Sequence, residues 1–250
     1  MRNFCFLLIL SFEMVILGCT GKAGPEGPSG SSGTPATQSF QAFFQNGVYP
    51  TSGYAGELDT WLNGTAGSPQ NALPYLEVNT GANYLSYGRI LTKFDVSSLP
   101  TNITVIAAEV WLKLEAATSI GSAPVTIGLH NLASSTFSGC HWLGNATWTG
   151  TGTGTWNTCT GDLTNNQLGY INPTTMSTVA FSSSVNGTSS FYKWNVDPAV
   201  VQSWLTSATN NNGLIFKSEG EFGEGTSSVG FYPYNDSTAG NRPTLIISYK

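Results

Sequence analysis

The chain has 250 residues, of which 9% are charged and 12% aromatic, and it carries a formal net charge of −5. A length of this order admits one large or two small domains, and the scarcity of charge with no basic block excludes a phosphate-backbone partner, so no nucleic-acid binding is expected. Abundant Gly, Ser, Thr and Asn beside the aromatics point to an extracytoplasmic all-β protein, because short strands use aromatic and β-branched residues and frequent turns use Gly and Asn.

Residues 1–18, "MRNFCFLLILSFEMVILG", hold one cation, Arg2, then an apolar run and a small residue before Cys19. This reads as a signal peptide rather than a membrane span. The stretch "ILGC" resembles the bacterial lipobox, which implies that Cys19 is lipidated and becomes the first residue of the mature chain. Thr20 stands where an Asp retains many lipoproteins at the inner membrane, so the resemblance implies anchoring at the outer membrane or cell surface. Residues 19–36 follow as a spacer. Glycine recurs at 21, 24, 27, 30 and 33, with Pro25, Pro28 and Pro35 between. The pattern resembles a collagen stem, in which three polyproline-II chains meet at an axis that admits only glycine. Five triplets reach only roughly 45 Å at about 3 Å per residue, too short to hold three chains unaided. A disordered or polyproline-II stem is therefore expected, with a homotrimer left open.

Residues 37–56 ("FQAFFQNGVYP" within them) form a lead-in or a first strand. Beyond them, over 57–250, the period becomes two. "YLSYGRILTKFDVSSLP" sets Arg89, Leu91, Lys93 and Asp95 against Ile90 and Phe94 and closes on a turn. "ITVIAAEVWLKLEAA" sets Val110, Leu112 and Leu114 against Trp111, Lys113 and Glu115. "PVTIGLHNL" is a third strand, and "NGLIFKSE", "SSVGFYPY" and "PTLIISYK" supply three more. Only "DPAVVQSWLTSA" reads as helix, with Pro198 in the first turn after Asp197 and with Val201, Trp204 and Leu205 on one face. The expected fold is all-β, an antiparallel jelly-roll or β-sandwich with one short helix, its core anchored by Trp148, Trp194 and Trp204.

These segments, in this order, resemble the DNRLRE domain, whose relatives include carbohydrate-binding module family 96. The resemblance rests on Arg89 with the "FD" of Phe94 and Asp95 and on Trp142 and Trp148. It continues through Val200 or Val201 with Trp204, through Gly213 and Leu214, and through Arg242, Pro243, Leu245, Ile247 and Tyr249. It covers roughly residues 57–250 and implies a jelly-roll sandwich carried by surface proteins, some of which bind polysaccharide. Two features depart from it: the pair Cys140 and Cys159 bracketing the tryptophan segment, and Trp61 in "DTWL".

In an oxidising compartment Cys140 and Cys159 read as a disulfide; a zinc site using His141 is the alternative. Neither His130 nor His141 lies in a nucleophile elbow, and "TGTGTGTW" lacks the lysine and helix of a phosphate loop, so no enzyme is expected. Binding of an extracellular polysaccharide or surface glycan is the expected activity, because planar rings stack on sugar faces while a few polar groups fix orientation. The candidate ligand residues are Trp61, Trp142, Trp156, Tyr232 and Tyr234. No cofactor is expected beyond a structural Ca²⁺, for which Glu219, Glu221 and Glu224 are the candidate ligands. An assembly domain of a trimeric surface fibre with no sugar binding is the competing reading, and a polysaccharide-active enzyme, which needs only two acids across a cleft, is the third.

Overall fold

A computed structural model describes residues 38–63, 74–81, 88–116, 118–132, 172, 174–220 and 226–250. In chain order its strands are β1 (Phe40–Phe44), β2 (Glu57–Asn63), β3 (Leu76–Thr80), β4 (Gly88–Phe94), β5 (Val105–Lys113), β6 (Val125–Asn131), β7 (Ser177–Phe181), β8 (Phe191–Val196), β9 (Leu214–Ser218), β10 (Ser227–Phe231) and β11 (Thr244–Tyr249). The helix α1 (Pro198–Thr206) lies between β8 and β9. Every strand pair is antiparallel, and the strands form two sheets packed as a β-sandwich. The smaller sheet has the order β1-β11-β5-β8; the larger runs β10-β3-β4-β9-β6-β7, with β2 also paired to β4.

Period-two alternation produces the smaller sheet in a clean form. In β5, Ala108, Val110 and Leu112 are buried, while Glu109, Trp111 and Lys113 are half-exposed. Side chains directly opposite across an antiparallel pair share a face. The register Val110↔Leu245 and Val110↔Trp194 therefore lines up a buried row across β11, β5 and β8. The lead-in is part of this sheet, because Phe40–Phe44 pairs residue by residue with Tyr249–Leu245. The compact unit accordingly spans Thr37–Lys250.

Trp194 sits between the sheets. Its ring lies 5.1 Å from Phe216, 5.8 Å from Phe231 and 6.1 Å from Phe181, all on strands of the larger sheet. Its indole N–H donates to the Ile127 carbonyl at 3.0 Å, which satisfies the one polar atom that this burial would otherwise strand. α1 closes one flank. The Asp197 carboxylate caps it by accepting from the Ala199 N–H, and Val201, Trp204 and Leu205 are its buried face. Gln202 fixes the helix to the start of β5, accepting from the Val105 N–H at 2.9 Å and donating to the Ile103 carbonyl at 3.2 Å.

At its central strands, β4, β9 and β6, the larger sheet has buried residues on both faces. Ile90, Phe94, Leu214 and Phe216 point into the sandwich, and Leu91, Ile215 and His130, on the opposite face, are also buried. Among the described residues no helix is long and apolar enough to cross a membrane.

Candidate functional site

The outer face of the smaller sheet carries aromatic rings in water. Opposite each other in the ladders stand Phe43 with Ile246, Thr244 with Trp111, Trp111 with Lys193, and Lys113 with Phe191. Phe43, Phe191 and the neighbouring Tyr49 are 37%, 45% and 47% exposed. The rings come in two groups: Trp111 and Phe191 are 6.4 Å apart, and Phe43 and Tyr49 are 5.7 Å apart. At a strand spacing of about 4.8 Å the four strands span roughly 14 Å, so the two groups lie at opposite sides of one surface.

Polar groups orient this face. The Glu109 carboxylate accepts from the Trp111 indole N–H at 2.9 Å and from the Lys193 ammonium at 2.8 Å. The Lys193 hydrogen bond holds Glu109 below the usual carboxylate range; partial burial opposes it and the Trp111 N–H assists. Glu109 is thus an anion that fixes the tilt of Trp111. The Lys193 ammonium also lies 5.9 Å from the centre of the Trp111 ring, and the Lys113 ammonium lies 5.6 Å from Phe191 and 5.8 Å from Tyr232. Lys113 is held in place by the Asn241 side-chain oxygen at 2.7 Å. The arrangement offers apolar ring faces for stacking, with a carboxylate and two ammonium groups beside them for hydroxyls.

The sequence-predicted residues separate. Tyr232 belongs to this face through Lys113 and is half-buried. Trp61 does not: it is only 6% exposed, on the core side of β2, with its ring 5.8 Å from Tyr75. The physical reason is phase, since Trp61 stands opposite Ile90 and both point into the sandwich. Tyr234 is half-buried elsewhere, its backbone N–H donating to the Asp59 carboxylate at 2.7 Å. Burial, reinforced by the charges of Asp59 and Glu57, pushes its phenol up. Trp194 and Trp204 are core residues as expected. Cys19, Cys140, Cys159, Trp142, Trp148, Trp156, Glu221 and Glu224 lie outside the described residues.

Glu219, a candidate cation ligand, makes polar contacts within the protein. His130 Nε2 is 2.6 Å from one of its oxygens, with the Lys217 ammonium at 3.8 Å, and the Thr175 hydroxyl donates to the other oxygen at 3.3 Å. Burial raises the Glu219 carboxyl, but His130, Lys217 and Thr175 together outweigh it and hold the group below its ordinary value. His130 Nδ1 faces the Asn172 carbonyl at 3.1 Å, so both ring nitrogens meet acceptors. Gly128 makes room for this contact, since a Cβ there would run into the Glu219 carboxylate.

A cavity of about 490 Å³ opens beside the end of β4, lined among others by Leu58, Lys93, Asp95, Trp204 and Asn211. Burial lowers the Lys93 ammonium, and Asp95 opposes that shift. Phe43, Tyr49, Trp111 and Phe191 are absent from its lining, so cavity and aromatic face are separate features.

A scan of the chain against protein-family models returns no match. A search of curated proteins likewise returns no relative.

Proposed function

We propose that this chain is a cell-surface lipoprotein whose β-sandwich binds extracellular polysaccharide through the outer face of its smaller sheet. The observation that carries the reading is the outward aromatic face, with Phe43, Tyr49 and Phe191 exposed and Trp111 half-exposed, its indole oriented by Glu109 and Lys193. Exposed rings held on a rigid sheet form a binding surface with little ordering cost, because strands position side chains better than loops do. The resemblance of residues 57–250 to DNRLRE domains supports the same reading. The lipobox-like "ILGC" supports a lipid on Cys19, with the glycine-triplet stem holding the domain away from the membrane.

The test is a polysaccharide array probed with the full chain, followed by titration of whatever binds. Replacing Trp111 and Phe191 together by Ala is expected to weaken binding by more than about tenfold. Unchanged affinity in the double variant refutes the assigned face. Lipidation is tested separately: Cys19→Ser is expected to abolish incorporation of labelled palmitate.

A second reading, an assembly domain of a trimeric fibre, draws on Phe40 and Ile106, which are 47% and 44% exposed. Sedimentation of the full chain in detergent decides it. A trimer that Phe40→Ser and Ile106→Ser dissolve favours assembly, whereas a monomer leaves polysaccharide binding as the reading.

A further inference from the structure

Two acidic residues occupy core-side positions on β2. Glu57 and Asp59 are in phase with Trp61, stand opposite Phe94 and Thr92, and are both 0% exposed. A buried carboxylate is costly unless it is paired and hydrogen-bonded. Among the described residues each has a single hydrogen bond, and it comes from the backbone. Glu57 Oε2 accepts from the Asn46 N–H at 3.0 Å, and Asp59 Oδ2 accepts from the Tyr234 N–H at 2.7 Å. The other two oxygens, Glu57 Oε1 and Asp59 Oδ1, are buried and have no partner.

Two further acceptors join them. The Asn46 amide donates to the Tyr234 carbonyl at 3.3 Å, which ties the two backbone donors to each other, and Asn46 Oδ1 is itself buried without a partner. Thr92, directly across the ladder from Asp59 and on the same face, is 0% exposed and its hydroxyl has no partner either. The nearby cation does not resolve this. Arg242 donates from Nη1 to the Asn46 carbonyl at 2.7 Å and from Nε to the Asp236 carbonyl at 2.8 Å, so it bonds backbone rather than either carboxylate.

Protonation is the competing resolution: an O–H on either acid would need one of the free acceptors, Asn46 Oδ1 or the Thr92 hydroxyl, and calcium would displace those protons on binding. A cation would engage the free oxygens and add no donor. The candidate donors are oxygens only, which selects a hard ion, and they come from separate segments of the chain rather than one binding loop. That suits Ca²⁺ better than Mg²⁺, which demands near-ideal octahedral geometry and keeps its waters.

We infer that Glu57, Asp59 and Asn46 form a Ca²⁺ site, with the Tyr234 carbonyl and the Thr92 hydroxyl as neighbouring oxygens. Asn46 follows β1 of the smaller sheet, the acids lie on β2 of the larger, and Tyr234 lies in the connection between β10 and β11. The ion joins the two sheets at one edge and anchors the loop that carries Tyr49. Its role is structural, and it is independent of whether the aromatic face binds sugar.

The experiment uses the full chain, stripped with EGTA and desalted, then melted with EGTA, CaCl2 or MgCl2. Calcium at about 100 times its Kd is expected to raise Tm by about 5–10 °C, with a smaller gain from magnesium. The double variant Glu57→Gln, Asp59→Asn is expected to melt in EGTA close to the temperature of the parent chain, because the amides stand in for the neutral acids, and to gain nothing from calcium. Should it fail to fold, Asn46→Ala keeps both carboxylates and is expected to weaken calcium binding by about tenfold or more, by titration calorimetry. The inference is overturned if calcium leaves the parent Tm unchanged and elemental analysis of the unstripped chain finds no calcium. It is also overturned if the double variant retains the calcium response or Asn46→Ala binds calcium as the parent does.

Discussion

The two sheets of this sandwich treat their outer faces in opposite ways. On the larger sheet the outward phase of β4 and β9 carries Leu91 and Ile215, both fully buried, and β6 contributes His130 at 2% exposure. On the smaller sheet the outward phase carries Trp111, Lys113, Lys193 and Phe191, all at least partly open to water. Both sheets use the same antiparallel ladder, so the contrast lies in the side chains. A sheet covered on both faces reads as a near-continuous apolar run, whereas one solvated on a face alternates. An aromatic ring on a covered face serves packing. On a solvated face, held by a carboxylate and flanked by ammonium groups, it is available to a ligand.

Substitutions that break the comparison should differ in size. Ile215→Ala, on the covered outer face of β9, is expected to lose about 2–5 kcal/mol of stability in urea unfolding, the cost of a buried aliphatic residue. A loss near zero would show that this face is not packed. Gly128→Ala displaces the Glu219 carboxylate from His130 and leaves a buried imidazole short of a partner, so about 1–3 kcal/mol is expected to be lost by the same measurement.

A smaller effect is expected from acid. The Glu219 carboxyl lies below its ordinary value of 4.5 in the folded chain, so its contribution is fully present above that pH and disappears as pH falls through the lower folded value. Glu219→Gln should flatten that part of the stability profile by about 0.2–1 kcal/mol, the range of partly exposed ion pairs. The smallest change is expected on the solvated sheet. Phe191→Ala should alter stability by about 0.5 kcal/mol or less while weakening polysaccharide binding.

Much of this architecture can be read from periodicity. Val110, Leu112 and Leu114 against Trp111 and Lys113 give the two faces of β5, and "DPAVVQSW" gives α1 with its cap and its buried side. β3, β7 and β8 are harder to read. They are five or six residues long, too short for a period to stand out: β3 and β7 mix Ser, Thr or Asn with few apolar residues, and in β8 aromatic residues fall in both phases, Tyr192 and Trp194 in one and Phe191 in the other. β1 looks like a lead-in because its partner is β11, at the far end of the chain, and local sequence carries no trace of that pairing.

The outward aromatic face has a legible signal that loop composition obscures. Trp111 falls in the same phase as Lys113 and Glu115, opposite Val110 and Leu112, so an aromatic ring stands in the solvent phase of a strand. Trp61, in "DTWL", falls in the buried phase with Glu57 and Asp59. That phase also marks the two acids: carboxylates alternating in register with a buried tryptophan need a partner. Which groups supply it depends on Asn46 and Tyr234, brought together only by the fold.

The most direct test of the aromatic face is oxidation of tryptophan by N-bromosuccinimide, read peptide by peptide by mass spectrometry, with and without a bound polysaccharide. Trp61, Trp194 and Trp204 are at most 6% exposed, so among the described tryptophans Trp111 should react first. The account expects bound polysaccharide to slow oxidation of Trp111 strongly and to leave the other three unchanged. Equal rates at Trp111 with the polysaccharide bound and absent would contradict it.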